Sequence, residues 1–196
     1  MRYLRAIGLA AVAVALAFTL PAGPASATVL ENDEGDHVTF FRASDEAGIV
    51  FHASIGSISC AISGLQARML NAGGSAEAVR AGVRVLSLRW CREPVIVLRD
   101  GELEIDAAGA TGEGNGTLAS DGLKITVAHR GFHCVFETED TEIGVLTGAD
   151  TTGSVPTIDL NGSIPRAGGG GGVFCGSAAA WTGSYQVITE PDLNVR

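Results

Sequence analysis

Beyond residue 36 the hydrophobic and polar positions of the chain alternate with the period of β-strands. Leu123, Ile125 and Val127 alternate with Lys124, Thr126 and Ala128, as in a strand with one face in a core. Phe132, Cys134 and Phe136 share one face of a second such run, with His133, Val135 and Glu137 on the other, so Cys134 is expected among core aromatics. Leu103 and Ile105 alternate with Glu102, Glu104 and Asp106, which leaves one face wet. Pro94 to Leu98 is continuously apolar, as in a strand covered on both faces.

The runs are separated by turn chemistry. Asp100-Gly101 stands between Val95–Arg99 and Glu102–Asp106, Asp121-Gly122 precedes Leu123–Val127, and Asn161-Gly162 follows Thr157–Leu160. Each dipeptide tolerates the positive φ of a two-residue hairpin turn, so antiparallel pairing between sequence neighbours is predicted at all three. Between Cys60 and Cys91 the pattern is weaker. Ser75 to Gly82 reads as a loop or short helix at 71–80, with Ser75 as cap, followed by a strand through Val83–Trp90. Gly168 to Gly172 reads as a flexible connector; a phosphate loop would need a Gly-Lys-Ser/Thr ending and a helix after it, and Lys124 is the only lysine. The prediction is a single all-β domain, an antiparallel β-sandwich or partly closed barrel of about 8–10 strands.

The first 27 residues depart from this pattern. Arg2 and Arg5 are followed by an uncharged apolar run from Ala6 to Leu20, then by Pro21, Gly23 and Pro24, then by Ala25-Ser26-Ala27. This is the layout of a cleaved export signal. At 1.5 Å per residue the apolar run would span about 22 Å, short of a bilayer's roughly 30 Å core. Cleavage after Ala27 would leave an all-β domain over 28–196, with no transmembrane segment and a formal charge of −11 from 11 basic and 22 acidic side chains. Such a balance disfavours nucleic acid as a partner, because no cationic surplus exists to displace phosphate counterions.

Export changes the reading of the four cysteines. Cys60, Cys91, Cys134 and Cys175 would all enter an oxidising compartment, and their spacings of 31, 43 and 41 residues lack the C-x₂-C pairs of zinc sites. Sequential pairing, Cys60 with Cys91 and Cys134 with Cys175, is favoured because each bridge closes a loop within one half of the chain.

Candidate chemistry is sparse. The sequence contains neither a Gly-x-Ser-x-Gly nor a His-Glu-x-x-His motif. His129 and His133, four apart, would lie roughly 13 Å apart on one strand, too far to share a metal unless a kink at Gly131 folds the strand. Glu137, Glu139, Asp140 and Glu142 form an acidic cluster that reads as the wet side of a strand and its turn rather than a calcium loop. Trp181 and Tyr185 share one strand face with Gly183; exposed, they would be a platform for a sugar ring or lipid surface, and buried, core aromatics. Asn115 and Asn161 begin glycosylation-acceptor triplets. No metal or cofactor is expected.

The run from Gly131 through Cys134 to Phe136, the run from Cys175 through Trp181 and Gly183 to Tyr185 and Val187, and the ending Glu190 to Val195 resemble a group of small secreted actinobacterial proteins of unknown function. The resemblance covers about residues 122–195 and is weaker over 38–91. It implies an all-β fold, export and a Cys134–Cys175 bridge, and it carries no catalytic residues. The functional expectation is therefore an exported, non-catalytic β domain, extracellular or associated with the cell envelope, in a binding or structural role. The alternatives are a small-ligand carrier with an inter-sheet cavity, and a secreted hydrolase using paired carboxylates.

Overall fold

The computed structural model describes residues 28–45, 47–74, 77–107, 114–129, 131–149, 154–168 and 172–196. The expected export signal and Ser75 lie outside them. The strands, in chain order, are β1 (Leu30–Glu31), β2 (Phe40–Asp45), β3 (Ile49–Ala53), β4 (Gly56–Met69), β5 (Val79–Cys91), β6 (Val95–Arg99), β7 (Glu102–Asp106), β8 (Asn115–Asp121), β9 (Lys124–His129), β10 (Phe132–Glu137), β11 (Thr141–Thr147), β12 (Thr157–Pro165), β13 (Ala178–Val187) and β14 (Asn194–Val195).

Eight of them close an antiparallel barrel in the order β12-β11-β8-β7-β5-β4-β2-β13, and β13 returns to β12 along a ladder from Thr157↔Gln186 to Pro165↔Ala178. Closure removes the unpaired edges that an open sheet would present. The alternation that predicts strands also fills the barrel. Ile58, Ile105, Leu118, Ile158 and Tyr185 are almost fully buried, and β12 alternates buried and exposed residues along its length. An eight-stranded barrel is just wide enough for such side chains to fill. Close packing of β12 on β11 depends on glycine: a Cβ on Gly162 would stand 2.4 Å from Ile143 Cα. The all-β expectation holds, and the barrel is fully closed.

β3 continues the line of β2, since both pair with β4 and with β13. At the break between them the Asp45 carboxylate accepts hydrogen bonds from the backbone N–H groups of Ala47 and Gly48, at 2.7 and 2.9 Å. β4 shifts phase at the same level: Ile58 and Cys60 point inward, then Ser63, Leu65 and Ala67.

A second sheet, β10-β9-β6, is joined to the end of β12 through a Phe136↔Arg166 bridge and an Ala167 N–H to Val135 C=O hydrogen bond. Ile125, Val127, Cys134 and Phe136 form its buried face. β1 and β14 pair as a short ribbon. The disulfides are Cys60–Cys91 and Cys134–Cys175, matching the expected pairing and suiting an oxidising, extracytoplasmic environment. Among the described residues no helix is long and apolar enough to cross a membrane.

Several local expectations are corrected. Asp100-Gly101 and Asp121-Gly122 do take positive φ at glycine (74° and 68°), but they carry the chain between the small sheet and the barrel, because β6 pairs with β9 and β7 with β5 and β8. Asn161-Gly162 lies inside β12, not at a turn. The apolar run at 94–98 forms β6, whose Ile96 and Leu98 are exposed. The chain does fold at Gly131, so His129 and His133 sit on two strands of a hairpin, β9 and β10, instead of along one.

Candidate functional site

An open and chemically varied surface lies on the outer wall of β2, β4 and β5, around Trp90. Ile62 pairs with Arg89 and Cys60 with Cys91. Trp90 falls between these two paired positions and takes a left-handed backbone conformation, φ +51°. Bulky residues avoid that region, and one held there costs about 1–3 kcal/mol. Its neighbours hold it in place: Cys91 is bridged to Cys60, and the N–H of Arg92 donates to the Ser59 carbonyl at 2.8 Å. The consequence is an indole 78 % exposed to solvent.

Trp90 divides two open grooves. The first, of about 470 Å³, runs over Arg42, Ser44, Gly64, Gln66, Ser87 and Arg89; the second, of about 420 Å³, runs over Gly48, Val50, Ser59, Ala61 and Arg92. The pairing register sets the rows of the first groove. Arg42, Gln66 and Val85 lie side by side across three strands, then Ser44, Gly64 and Ser87, then Ile62 beside Arg89. Gly64 has no side chain to raise the middle row, and a Cβ there would stand 3.1 Å from Ser87 Oγ.

Charge is segregated around the barrel. Residues 47–92 contain five arginines and a single acid, Glu77, whereas residues 100–160 contain twelve acids against Lys124 and Arg130. Among the described residues, ion pairs join Arg80 to Glu102, Arg99 and Lys124 to Glu137, and Arg196 to Glu31, and none of these side chains lines the two grooves at Trp90. Among the described residues no carboxylate pairs with Arg42, Arg89 or Arg92. The Arg42 guanidinium lies 5.7 Å from the Phe40 ring centroid. This wall therefore offers an aromatic face, unpaired guanidinium groups, and the hydroxyls and amide of Ser44, Ser87 and Gln66.

The residues singled out from the sequence lie elsewhere. Trp181 and Tyr185, considered as an exposed platform, are 4 % and 1 % exposed and belong to the core. Both point into the barrel from β13, and Trp181 stacks on Phe51 with ring centroids 5.5 Å apart. A platform needs a ring face free of protein, and theirs are covered. The barrel interior beside them retains a void of about 20 Å³, lined by Leu65, Leu118, Ile143, Trp181 and Tyr185, which is space for about one water molecule.

In the acidic cluster, Glu137 is held below the ordinary carboxylate range, first by its hydrogen bond from Lys124; burial, the next largest effect, opposes this, and the charges of Lys124 and then Arg99 add to the lowering. Asp140 occupies a turn at φ +43°. Among the described residues no three His, Cys, Asp or Glu side chains converge as a metal site. His52 Nδ1 lies 2.8 Å from Ser57 Oγ. Asn115 Oδ1 accepts the Gly148 N–H at 3.2 Å, and Asn161 is exposed on β12. A smaller groove of about 200 Å³ on the acidic side is lined by Glu102, Glu104, Asp121 and Asp140, with Arg80 ion-paired to Glu102.

Trp90 is not singled out by the strand pattern, because its exposure depends on a backbone irregularity. The sequence signal is compositional: Arg89-Trp90-Cys91-Arg92 ends a stretch with one acid in 46 residues. Comparison with protein-family models, curated proteins and solved structures finds no match for this chain.

Proposed function

We propose that the chain is an exported, non-catalytic binding domain, extracellular or associated with the cell envelope, that engages its ligand on the outer barrel wall at Trp90. The observation that carries this reading is the exposed indole, held in a costly backbone conformation between two open grooves. Of the two non-glycine residues held at positive φ among the described residues, Trp90 and Asp140, Trp90 is the bulky one, and strain kept at an exposed aromatic residue supports a functional role. The four-cysteine framework and the signal-like first 27 residues support export. An interior carrier is disfavoured, because a void of about 20 Å³ cannot hold a small organic ligand.

The test is co-sedimentation of the secreted protein with washed, insoluble cell-envelope fragments from the expressing bacterium. The wild type is expected to pellet with the fragments and Trp90→Ala to stay in the supernatant. Equal partition of the two proteins would overturn the reading.

A further inference from the structure

The chemistry of the Trp90 wall also points to a class of ligand; this step rests on the reading above. We infer that the wall takes an acidic polysaccharide chain, a sugar ring stacking on Trp90 and the chain's anionic groups pairing with Arg42, Arg89 and Arg92. Three observations carry it.

The first is the pairing of ring and charge. A largely exposed indole presents a π face to the C–H side of a pyranose ring. Guanidinium forks on either side of it match carboxylate or phosphate in a bidentate geometry. No described carboxylate satisfies those three arginines, although the chain as a whole is acidic. A net-negative protein that gathers its unpaired cations on one wall attracts an anion there and repels it elsewhere.

The second is the shape. The two grooves meet at Trp90 and together form a track instead of a closed pocket. From the row of Arg42 to the row of Arg89 is four residues along β5 and two strands across the sheet. That is roughly 13 Å by 10 Å, a span that suits a polymer of several rings and exceeds a single sugar.

The third is the lining. Ser44 and Ser87 place hydroxyls between the charged rows, and Gln66 places an amide beside Arg42. Ile62, Val85 and Ile188 add apolar surface, and Gly64 leaves the floor open. A surface built to enter a lipid bilayer would be apolar throughout. A lining that mixes hydroxyl, amide and guanidinium groups with apolar side chains suits the hydroxyl and C–H faces of a glycan.

The experiment measures binding of the full secreted chain to four probes: polygalacturonate, carrying carboxylates; a phosphate-bearing teichoic acid; neutral dextran; and phosphatidylglycerol vesicles. Binding is read by isothermal titration and by tryptophan fluorescence, at low and high salt. At least one of the two acidic polymers is expected to bind saturably and to weaken with salt, and the stronger of them tells which anionic group is preferred. Dextran and vesicles are expected to bind at least tenfold more weakly. Trp90→Ala and the triple variant Arg42→Gln/Arg89→Gln/Arg92→Gln are each expected to lose tenfold or more, with unchanged far-UV circular dichroism. Trp90→Phe, which keeps a ring, should retain most of the affinity. Gly64→Leu fills the groove floor without changing charge and should weaken binding as well.

Binding of vesicles alone, equal binding of dextran, or polymer binding indifferent to Trp90→Ala would each overturn the inference. If neither acidic polymer binds while Trp90→Ala still abolishes envelope co-sedimentation, the ligand class is wrong and the binding function stands. If Trp90→Ala sediments like the wild type, both fall.

Discussion

Tyr185 and Ser63 share a hydrogen bond inside the barrel, Oη to Oγ at 2.5 Å, joining two residues 122 positions apart in sequence. Burial pushes the phenol well above its ordinary range, the bond to Ser63 opposes this in part, and the neighbouring Asp45 carboxylate adds to the rise. The sign of the pH dependence follows. Unfolded tyrosine ionises near pH 10, so the stabilisation from the buried neutral phenol is complete below about that pH. It is lost as pH rises further towards the folded value. The sequence has two tyrosines, Tyr3 and Tyr185, so a chain processed after Ala27 keeps only Tyr185. Its tyrosinate absorbance is expected to stay absent above pH 10 and to appear together with loss of the folded circular dichroism. Tyr185→Phe should flatten the alkaline decline in melting temperature. It should also cost about 1–2 kcal/mol at neutral pH, because Ser63 loses its buried partner. A tyrosinate signal at pH 10 from a fully folded chain would contradict this.

The β11–β12 contact is expected to be the least tolerant backbone approach in the barrel. A Cβ on Gly144 would stand 2.1 Å from the Asp159 carbonyl oxygen, and one on Gly162 2.4 Å from Ile143 Cα. Both neighbours are backbone and cannot rotate away. Gly162→Ala should therefore destabilise by about 2–3 kcal/mol through overpacking, measured as a lower denaturant midpoint. Gly131→Ala is the contrast. Nothing lies within 4 Å of its Cβ position, and only the positive φ of +85° is penalised, so about 1 kcal/mol is expected.

These contacts mark where the sequence is legible and where it is not. Alternation at Leu103–Asp106 and Phe132–Glu137 reports strands directly, because the side-chain period of a strand is two. Sequential cysteine pairing is legible because each bridge closes a modest loop. Dipeptides ending in glycine are ambiguous. Positive φ at Gly101 and Gly122 serves a change of sheet as well as a hairpin, and at Gly162 glycine serves close packing inside a strand. Barrel closure needs β2 to meet β13, which are some 140 residues apart, and periodicity carries no information about that. The apolar run of β6 looks buried because periodicity does not see a sheet edge. The same limit misplaces the aromatic platform. Trp181 and Tyr185 have the regular spacing, whereas Trp90 is exposed by a backbone irregularity that only the β4–β5 register reveals.

The two tryptophans should be separable in solution. Trp90 is 78 % exposed beside Arg89 and Arg92, and Trp181 is 4 % exposed. Iodide, an anion drawn to the arginines, is expected to quench part of the wild-type fluorescence. Trp90→Phe should leave a blue-shifted emission that iodide hardly quenches. If that variant remained strongly quenched, Trp181 would be accessible and the barrel interior open.

The disulfides are expected to differ in their effect on function while resembling one another in stability. They span 31 and 41 residues of sequence, and loops of this size are worth about 3–4 kcal/mol in the chain-entropy account. Cys60→Ala/Cys91→Ala and Cys134→Ala/Cys175→Ala should therefore each lower the unfolding free energy by a similar amount in guanidinium titrations. The Cys60–Cys91 bridge adjoins Trp90, whereas Cys134–Cys175 ties β10 to the segment before β13. Removing the first should change the iodide accessibility of Trp90 and release the protein from cell-envelope fragments. Removing the second should leave both close to wild type in conditions where the variant remains folded. Equal loss of envelope binding in the two double variants, at matched fraction folded, would show that the Cys60–Cys91 bridge has no special part in holding Trp90 in position.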